Sequence, residues 1–171
     1  MFDFLKRKGK AKAEAGGAPS PQYAAAPGTE IRYHPELIGQ LVGDHRKLLG
    51  IYGEIQAAFD AGDYPQVSEL LDALRSALQG HLLTENVRLY IYLDRCLARD
   101  EASAELIHGF RREMDGIGRV AMNFLKKYEA IGVDKELAVP FAKDFATIGK
   151  VLGERIQKEE QVLYPLYMPS Y

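Results

Sequence analysis

The sequence predicts an all-α fold, an antiparallel up-down-up-down four-helix bundle built from two similar helical hairpins, and three observations carry that expectation. From about residue 35 onward, apolar residues recur at steps of three and four over long stretches, the period of helices with one buried face. No stretch alternates apolar and polar residues convincingly with the period of two that a half-buried strand requires. Gly, Pro and Asp divide the helical stretches with short connections, which make neighbouring helices antiparallel. A chain of 171 residues with 47% hydrophobic content is long enough for one sizeable core and too short for two.

Residues 1–29 read as a tail. The opening "MFDFLKRKGKAKAEA" is locally basic, and residues 13–29 are rich in Ala, Gly and Pro with no apolar period, the composition of a flexible linker. Phe2, Phe4 and Leu5 beside Lys6, Arg7, Lys8, Lys10 and Lys12 have the makings of a short anchor for a membrane surface or a partner. A solvated tail is the plainer expectation, and the bundle is assigned to residues 30–171.

Helix one is expected over about residues 35–61, ending at "AGDYP". Asp63 and Pro65 suit the start of helix two, which continues through Cys96 to about residue 98. Helix three follows "RDEAS" over about residues 104–131. After "GVDKE", helix four covers about residues 137–167, with Pro140 in its first turn and Pro165 near its end.

Stepping along each helix by threes and fours gives its core-facing seam. Helix one presents Ile38, Leu41, His45, Leu48, Tyr52, Ile55 and Phe59. Helix two presents Leu71, Leu74, Leu78, His81, Glu85, Leu89, Tyr92 and Cys96. Helix three presents Ile107, Phe110, Met114, Ile117, Ala121, Phe124, Tyr128 and Ile131, and helix four Phe141, Phe145, Ile148, Leu152, Arg155, Glu159, Val162 and Leu166. Five strongly polar groups therefore point inward: His45, His81, Glu85, Arg155 and Glu159. His45 lies about as far before the end of helix one as His81 lies after the start of helix two, and Met114 and Arg155 match in the same way. At a rise of about 1.5 Å per residue, all five fall in one layer near the middle of the bundle.

The two halves of the chain repeat one another. "HLLTENVRLYIYL" superposes on "RIQKEEQVLYPLY", placing Glu85 on Glu159 and Tyr90 on Tyr164, while "DHRKLLGIYGEI" lies over "EMDGIGRVAMNF". The repeat is asymmetric in its polar layer, since His45 matches Met114 and His81 matches Arg155.

Several functions are disfavoured by composition. A net charge of −2 and a pI near 6.1 provide no global field for nucleic acid. One cysteine, Cys96, allows no internal disulfide and no Cys-based zinc cluster, which fits a reducing, cytoplasmic setting. The opening has neither the continuous apolar segment nor the cleavage site of a secretory signal, and no stretch is long and apolar enough to span a bilayer. No Ser/His/Asp arrangement or phosphate-binding Gly loop is present. His34, just before Pro35, reads as a cap or surface residue. His108 falls on a different face from Met114. Tyr52, Tyr92 and Tyr128 read as core aromatics with satisfied tips, and Cys96 as a small buried hydrophobe.

The residues His45 in "GDHRKLL", His81 and Glu85 in "HLLTE", and Glu159 in "RIQKEEQVLYP" resemble the hemerythrin-like (HHE cation-binding) domain family. Its pattern is a histidine in the first helix, HxxxE in the second, a histidine in the third and HxxxE or a similar motif in the fourth. The resemblance covers about residues 31–167 and implies a four-helix bundle carrying a carboxylate-bridged non-haem di-iron centre that binds oxygen or senses redox state. This sequence departs from the pattern where Phe110 and Met114 occupy the third seam and Arg155 stands where helix four should offer a histidine. The second iron position is thereby lost.

Two imidazoles and two carboxylates, from His45, His81, Glu85 and Glu159, make a coherent site for one Fe(II), Mn(II) or Zn(II), with Arg155 holding the carboxylates from the vacated side in place of the missing ion. The alternative is a metal-free polar layer in which Arg155 bridges Glu85 and Glu159. Three functions follow in order of expectation. The first is a metal-binding, oxygen- or redox-sensing module with one metal per chain. The second is a metal-free regulatory bundle that binds a protein partner, as anti-sigma regulators do. An oxidase or peroxidase comes last, because no acid–base set beyond the ligands is evident, so the chain is read as a binding protein and not an enzyme.

Overall fold

The computed structural model describes residues 23–169. The described chain is helical in four antiparallel rods. The first is α1 (Leu37–Asp60). The second joins α2 (Tyr64–Thr84), a π-helical segment (Glu85–Tyr90) and α3 (Ile91–Cys96). The third is α4 (Glu101–Lys127), and the fourth joins a 3-10 turn (Lys135–Leu137), α5 (Ala138–Lys158), a second π-helical segment (Glu159–Leu163) and a final 3-10 turn (Tyr164–Leu166). No described helix is long and apolar enough to cross a membrane. The four-helix, all-α expectation is met.

The punctuation works as its chemistry dictates. Gly62, with φ of 71°, takes the left-handed conformation after α1, and the amides of Gly62 and Asp63 bond back to Phe59 O and Ala58 O. This pattern closes the last carbonyls of a helix and favours glycine. Asp63 then caps α2, its Oδ1 accepting from Gln66 N at 3.1 Å, with Pro65 in the first turn. α4 begins earlier than its apolar period suggests, because Asp100 is extended at its N-cap position and takes a hydrogen bond from Ser103 Oγ. It ends at Lys127, where Tyr128 leaves the helical region.

Residues 23–29 carry structure. Ala25 bridges to Arg32, Ala26 is buried against the bundle, and the Tyr23 ring meets Tyr33 edge-on at 4.9 Å. Residues 1–22, with Phe2, Phe4, Leu5 and the basic run, lie outside the described residues.

The polar layer cuts the core in two. On one side Leu48, Ile55, Leu71, Leu74, Leu78, Phe124, Phe141 and Phe145 pack together; on the other lie Leu37, Leu41, Leu89, Tyr90, Leu93, Ile107, Phe110, Leu163 and Tyr164. His45 falls between Leu41 and Leu48, His81 and Glu85 between Leu78 and Leu89, and Arg155 and Glu159 between Ile148 and Leu163. Among the described residues, the buried polar or charged side chains are His45, His81, Glu85, Arg155 and Glu159, the same five the seams point inward.

The π segments shift the seams beyond that layer. A π turn inserts one residue into the helical count, so Leu93, Leu163, Tyr164 and Tyr167 turn into the core while Val162 becomes 41% exposed. Cys96 and Leu166, expected on the seam, are only half-buried.

Near the layer, Gly149 leaves room for Tyr52, whose ring stacks on Phe145 at 4.0 Å and whose Oη donates to Phe145 O at 3.0 Å. A Cβ on Gly149 would overlap that phenol, whereas one on Gly153 meets open space. Gly149→Ala is expected to destabilise the fold by about 1–3 kcal/mol, while Gly153→Ala should stabilise it by up to about 1 kcal/mol through helix propensity. Denaturant unfolding of both variants checks the contrast.

Candidate metal centre

The centre is assembled from three rods. α1 contributes His45, the last turn of α2 His81, the first π segment Glu85, the last turn of α5 Arg155, and the second π segment Glu159. His45 Nε2 lies 3.2 Å from His81 Nε2, 3.2 Å from Glu159 Oε2 and 3.1 Å from the Tyr164 hydroxyl. His45, His81 and Glu159 each turn one ligand atom to within 4.8 Å of the others. Glu85 stands beside this trio, with Oε2 3.8 Å from His81 Nε2 and Oε1 accepting from the Tyr164 hydroxyl at 2.9 Å.

Behind each imidazole is a carboxylate. His45 Nδ1 donates to Glu160 Oε1 at 2.8 Å, and His81 Nδ1 faces Asp44 Oδ2 at 3.7 Å. With Nδ1 carrying the proton in both rings, the two Nε2 lone pairs confront each other and Glu159 Oε2. Such an arrangement calls for a cation between them, either a proton or a metal. Two further buried polar atoms, His81 Nδ1 and Glu85 Oε2, have no hydrogen-bond partner. An imidazole and carboxylate donor set of this kind suits Fe(II), Mn(II) or Zn(II), so the residues present fit a single metal ion.

Arg155 fills the other half of the layer. Its Nε donates to Glu159 Oε1 at 2.5 Å, Nη1 to Glu113 Oε2 at 3.3 Å and Nη2 to the Tyr90 hydroxyl at 2.8 Å. The guanidinium lies over the Phe110 ring, 4.7 Å from its centre, and Lys158 also bonds Glu113 at 2.9 Å. Met114 is buried nearby with its thioether. Arg155 therefore anchors Glu159, Glu113 and Tyr90, and the hydrogen bond to Glu85 comes from Tyr164 instead.

Opening from this layer is a cavity of about 110 Å³, walled mainly by Leu48, Tyr52, Leu74, Leu78, Leu152 and Met114, with His45, His81, Arg155 and Glu159 at its polar end.

Burial and neighbours divide the titratable groups into two sets. Burial pulls His45 down, but the hydrogen bonds to Glu159 and Glu160 outweigh it and raise its pKa. Burial and the adjacent His45 charge lower that of His81. Glu85 is pushed up to about 8 by burial and by Glu159. Burial would raise Glu159 as well, yet the His45 hydrogen bond and the Arg155 charge hold it below its ordinary value. The surroundings thus keep Glu159 ionised and Glu85 neutral near pH 7 and favour the charged form of His45.

The hemerythrin HHE cation-binding domain model matches residues 36–167. The chain belongs to that family. No curated protein and no solved structure matches it. Within the hemerythrin HHE fold, this chain keeps His45, His81, Glu85 and Glu159 in one layer, and it has Met114 and Arg155 in the half whose histidines the family pattern requires.

Sequence reasoning did not single out Tyr90, Tyr164, Glu160, Glu113 or Asp44. The repeat held a signal for the first two, because Tyr90 and Tyr164 superpose five residues beyond Glu85 and Glu159. Their inward aim depends on the π turns, which no apolar period reveals. Tyr52, Tyr92 and Tyr128 instead bond Phe145 O, Met168 O and Asp144. His34 is exposed, its amide donating to the Tyr167 hydroxyl at 2.8 Å. The His108 side chain is 63% exposed, near Asp94.

These shifts dictate how the metal-free protein responds to pH. Glu85 and His45 bind protons more tightly folded than unfolded, so their contribution to stability is present at lower pH and is lost as pH rises through their folded values. The opposing shifts of His81 and Glu159 act below about pH 6.5. Metal-free protein should therefore lose stability between about pH 7 and 9, by an amount on the order of 1–2 kcal/mol. Glu85→Gln, an isosteric copy of the neutral acid, should flatten most of that slope. Melting temperature against pH, with chelator present, checks it; an unchanged slope in the variant contradicts the assignment of Glu85 as neutral.

Proposed function

We propose that this hemerythrin HHE chain binds one transition-metal ion, non-haem iron in preference to manganese or zinc, and serves as an oxygen- or redox-responsive binding module in the cytoplasm and not as an enzyme. The observation that carries the reading is the meeting of His45 Nε2, His81 Nε2 and Glu159 Oε2 in a buried layer. His45, His81 and Glu159 hold the ion, and Glu85, with its unpartnered Oε2, completes the set. Bound iron would supply a redox-active Lewis acid; the protein supplies the mainly apolar cavity of about 110 Å³ beside it, whose walls suit a small uncharged ligand such as dioxygen. Tyr164 offers a hydroxyl at the same point, and Arg155 keeps Glu159 ionised and oriented.

A second reading has its own support. Arg155 is satisfied by Glu159, Glu113 and Tyr90, so half of the layer stands without any metal. Under that reading the bundle is a metal-free regulatory module whose function lies in a protein partner.

Metal analysis of purified, iron-supplied protein separates the two. About one iron per chain is expected, with loss of binding in His45→Ala and His81→Ala and retention of the fold. Arg155→His with Met114→His removes the resident guanidinium and restores the missing histidines, so uptake should approach two per chain. Folded parent protein that takes up no iron, manganese or zinc overturns the metal reading; two irons in the parent would show that Arg155 does not occupy the second position.

A further inference from the structure

Consecutive residues of the second π segment grip one imidazole by both edges. Glu159 Oε2 lies 3.2 Å from His45 Nε2, and Glu160 Oε1 lies 2.8 Å from His45 Nδ1. The ring between them is 1% exposed, while the Glu160 side chain is 37% exposed. Glu160 thus belongs to the outer face of the bundle and reaches in only to this one ring. A contact of that kind differs from a surface ion pair, which is screened and worth little, because its imidazole partner is dry and has no competing acceptor at Nδ1.

A carboxylate accepts hydrogen bonds and offers none. At Nδ1 it therefore requires a proton on that nitrogen and leaves Nε2 as the free lone pair of the neutral ring. Without it, neutral His45 would be free to carry its proton on Nε2, where Glu159 and His81 Nε2 both act as acceptors, and the lone pair that points at the centre would be lost. The other imidazole has a looser counterpart. Asp44 Oδ2 is 3.7 Å from His81 Nδ1, beyond a direct hydrogen bond, so its hold on the His81 tautomer is weaker.

We propose that Glu160 is a positioning residue for the metal centre, fixing His45 in the Nδ1–H tautomer so that Nε2 faces His81 Nε2 and Glu159. The carboxylate acts through a ring read above as a metal ligand, so its effect on binding rests on that reading, whereas its effect on the tautomer does not. Buried imidazole ligands backed in this way typically lose ten- to a hundredfold in metal affinity when the outer partner is removed.

The test uses the full chain, with Zn(II) as a diamagnetic probe and a chelator as competitor. Glu160→Ala should weaken zinc binding by about ten- to a hundredfold, and should also lower the melting temperature of the metal-free protein, because the buried His45 Nδ1–H loses its acceptor. Glu160→Gln keeps an acceptor oxygen at Nδ1 and should restore affinity to within a few-fold of the parent, which a purely coulombic effect of the Glu160 charge would not predict. Asp44→Ala should cost less than Glu160→Ala. Proton–nitrogen correlation spectra of the zinc-loaded parent should place the His45 ring proton on Nδ1. Parent-like affinity in Glu160→Ala, no rescue by Gln, or a ring proton on Nε2 each overturns the role. If the parent binds no zinc, the metal reading fails by itself and the same spectra are taken on metal-free protein above the His45 pKa. Nδ1–H in the parent and a changed tautomer in Glu160→Ala then sustain the positioning role, and Nε2–H in the parent ends it.

Discussion

Two imidazole nitrogens facing each other at 3.2 Å in a buried layer form the constraint around which the bundle is arranged. Neutral rings with both lone pairs converging repel one another, and burial of the layer between two apolar clusters makes unrelieved polar atoms costly. With both rings protonated on Nδ1, a cation is needed among them. In the metal-free chain Glu159 and Glu160 favour a second proton on His45; a divalent metal held there would displace that proton, which would couple binding to pH. The raised His45 and the lowered Glu159 are two sides of the same contact, whereas Glu85, farther from the positive charges and next to Glu159, stays neutral.

Both π segments begin on a glutamate of the layer, Glu85 and Glu159. An uninterrupted α-helix would carry Tyr90 and Tyr164 off the core face set by those glutamates. The wider turn returns them to it, and the two hydroxyls then satisfy opposite halves of the layer. Tyr90 takes a bond from Arg155, and Tyr164 gives one to Glu85. π turns recur at functional sites for this reason, since they trade regular backbone bonding for side-chain placement. Here they also move the core beyond the layer, from Val162 to Leu163 and Tyr164.

Arg155 marks where the two hairpins part company. In the first hairpin, the position one turn before the glutamate is His81, a group that binds a metal when neutral. In the second it is a permanent cation with a full set of partners and a ring beneath it. A guanidinium satisfied on three sides does not leave readily, because removing it would strand the buried Glu159 charge. The near-symmetric scaffold thus holds one half where imidazole nitrogens and carboxylate oxygens converge and one half occupied by its own side chain, joined through the two oxygens of Glu159.

Sequence alone determined the bundle, its order of helices and the identity of its buried polar groups. These follow from local quantities: the 3.6-residue period, the caps at Asp63 and Gly62, and the count from helix ends to His45 and His81. The cost of burying charge makes five inward polar residues conspicuous in an otherwise apolar seam. Tertiary structure decided which atoms meet. Glu160 neighbours Glu159 in the chain and reads as an outer-face residue, yet it closes on His45 because a π turn and the approach of α1 bring the ring between them. Glu113 reads as surface until Arg155 reaches across from α5. Tyr90 lies one residue and Tyr164 two residues off the expected seam, and both enter the layer only through the inserted residue of each π turn. Periodicity fixes the direction of a side chain along its own helix to within a residue; whether its terminal atom lands within 3 Å of a partner depends on the packing of separate rods, which no single helix encodes.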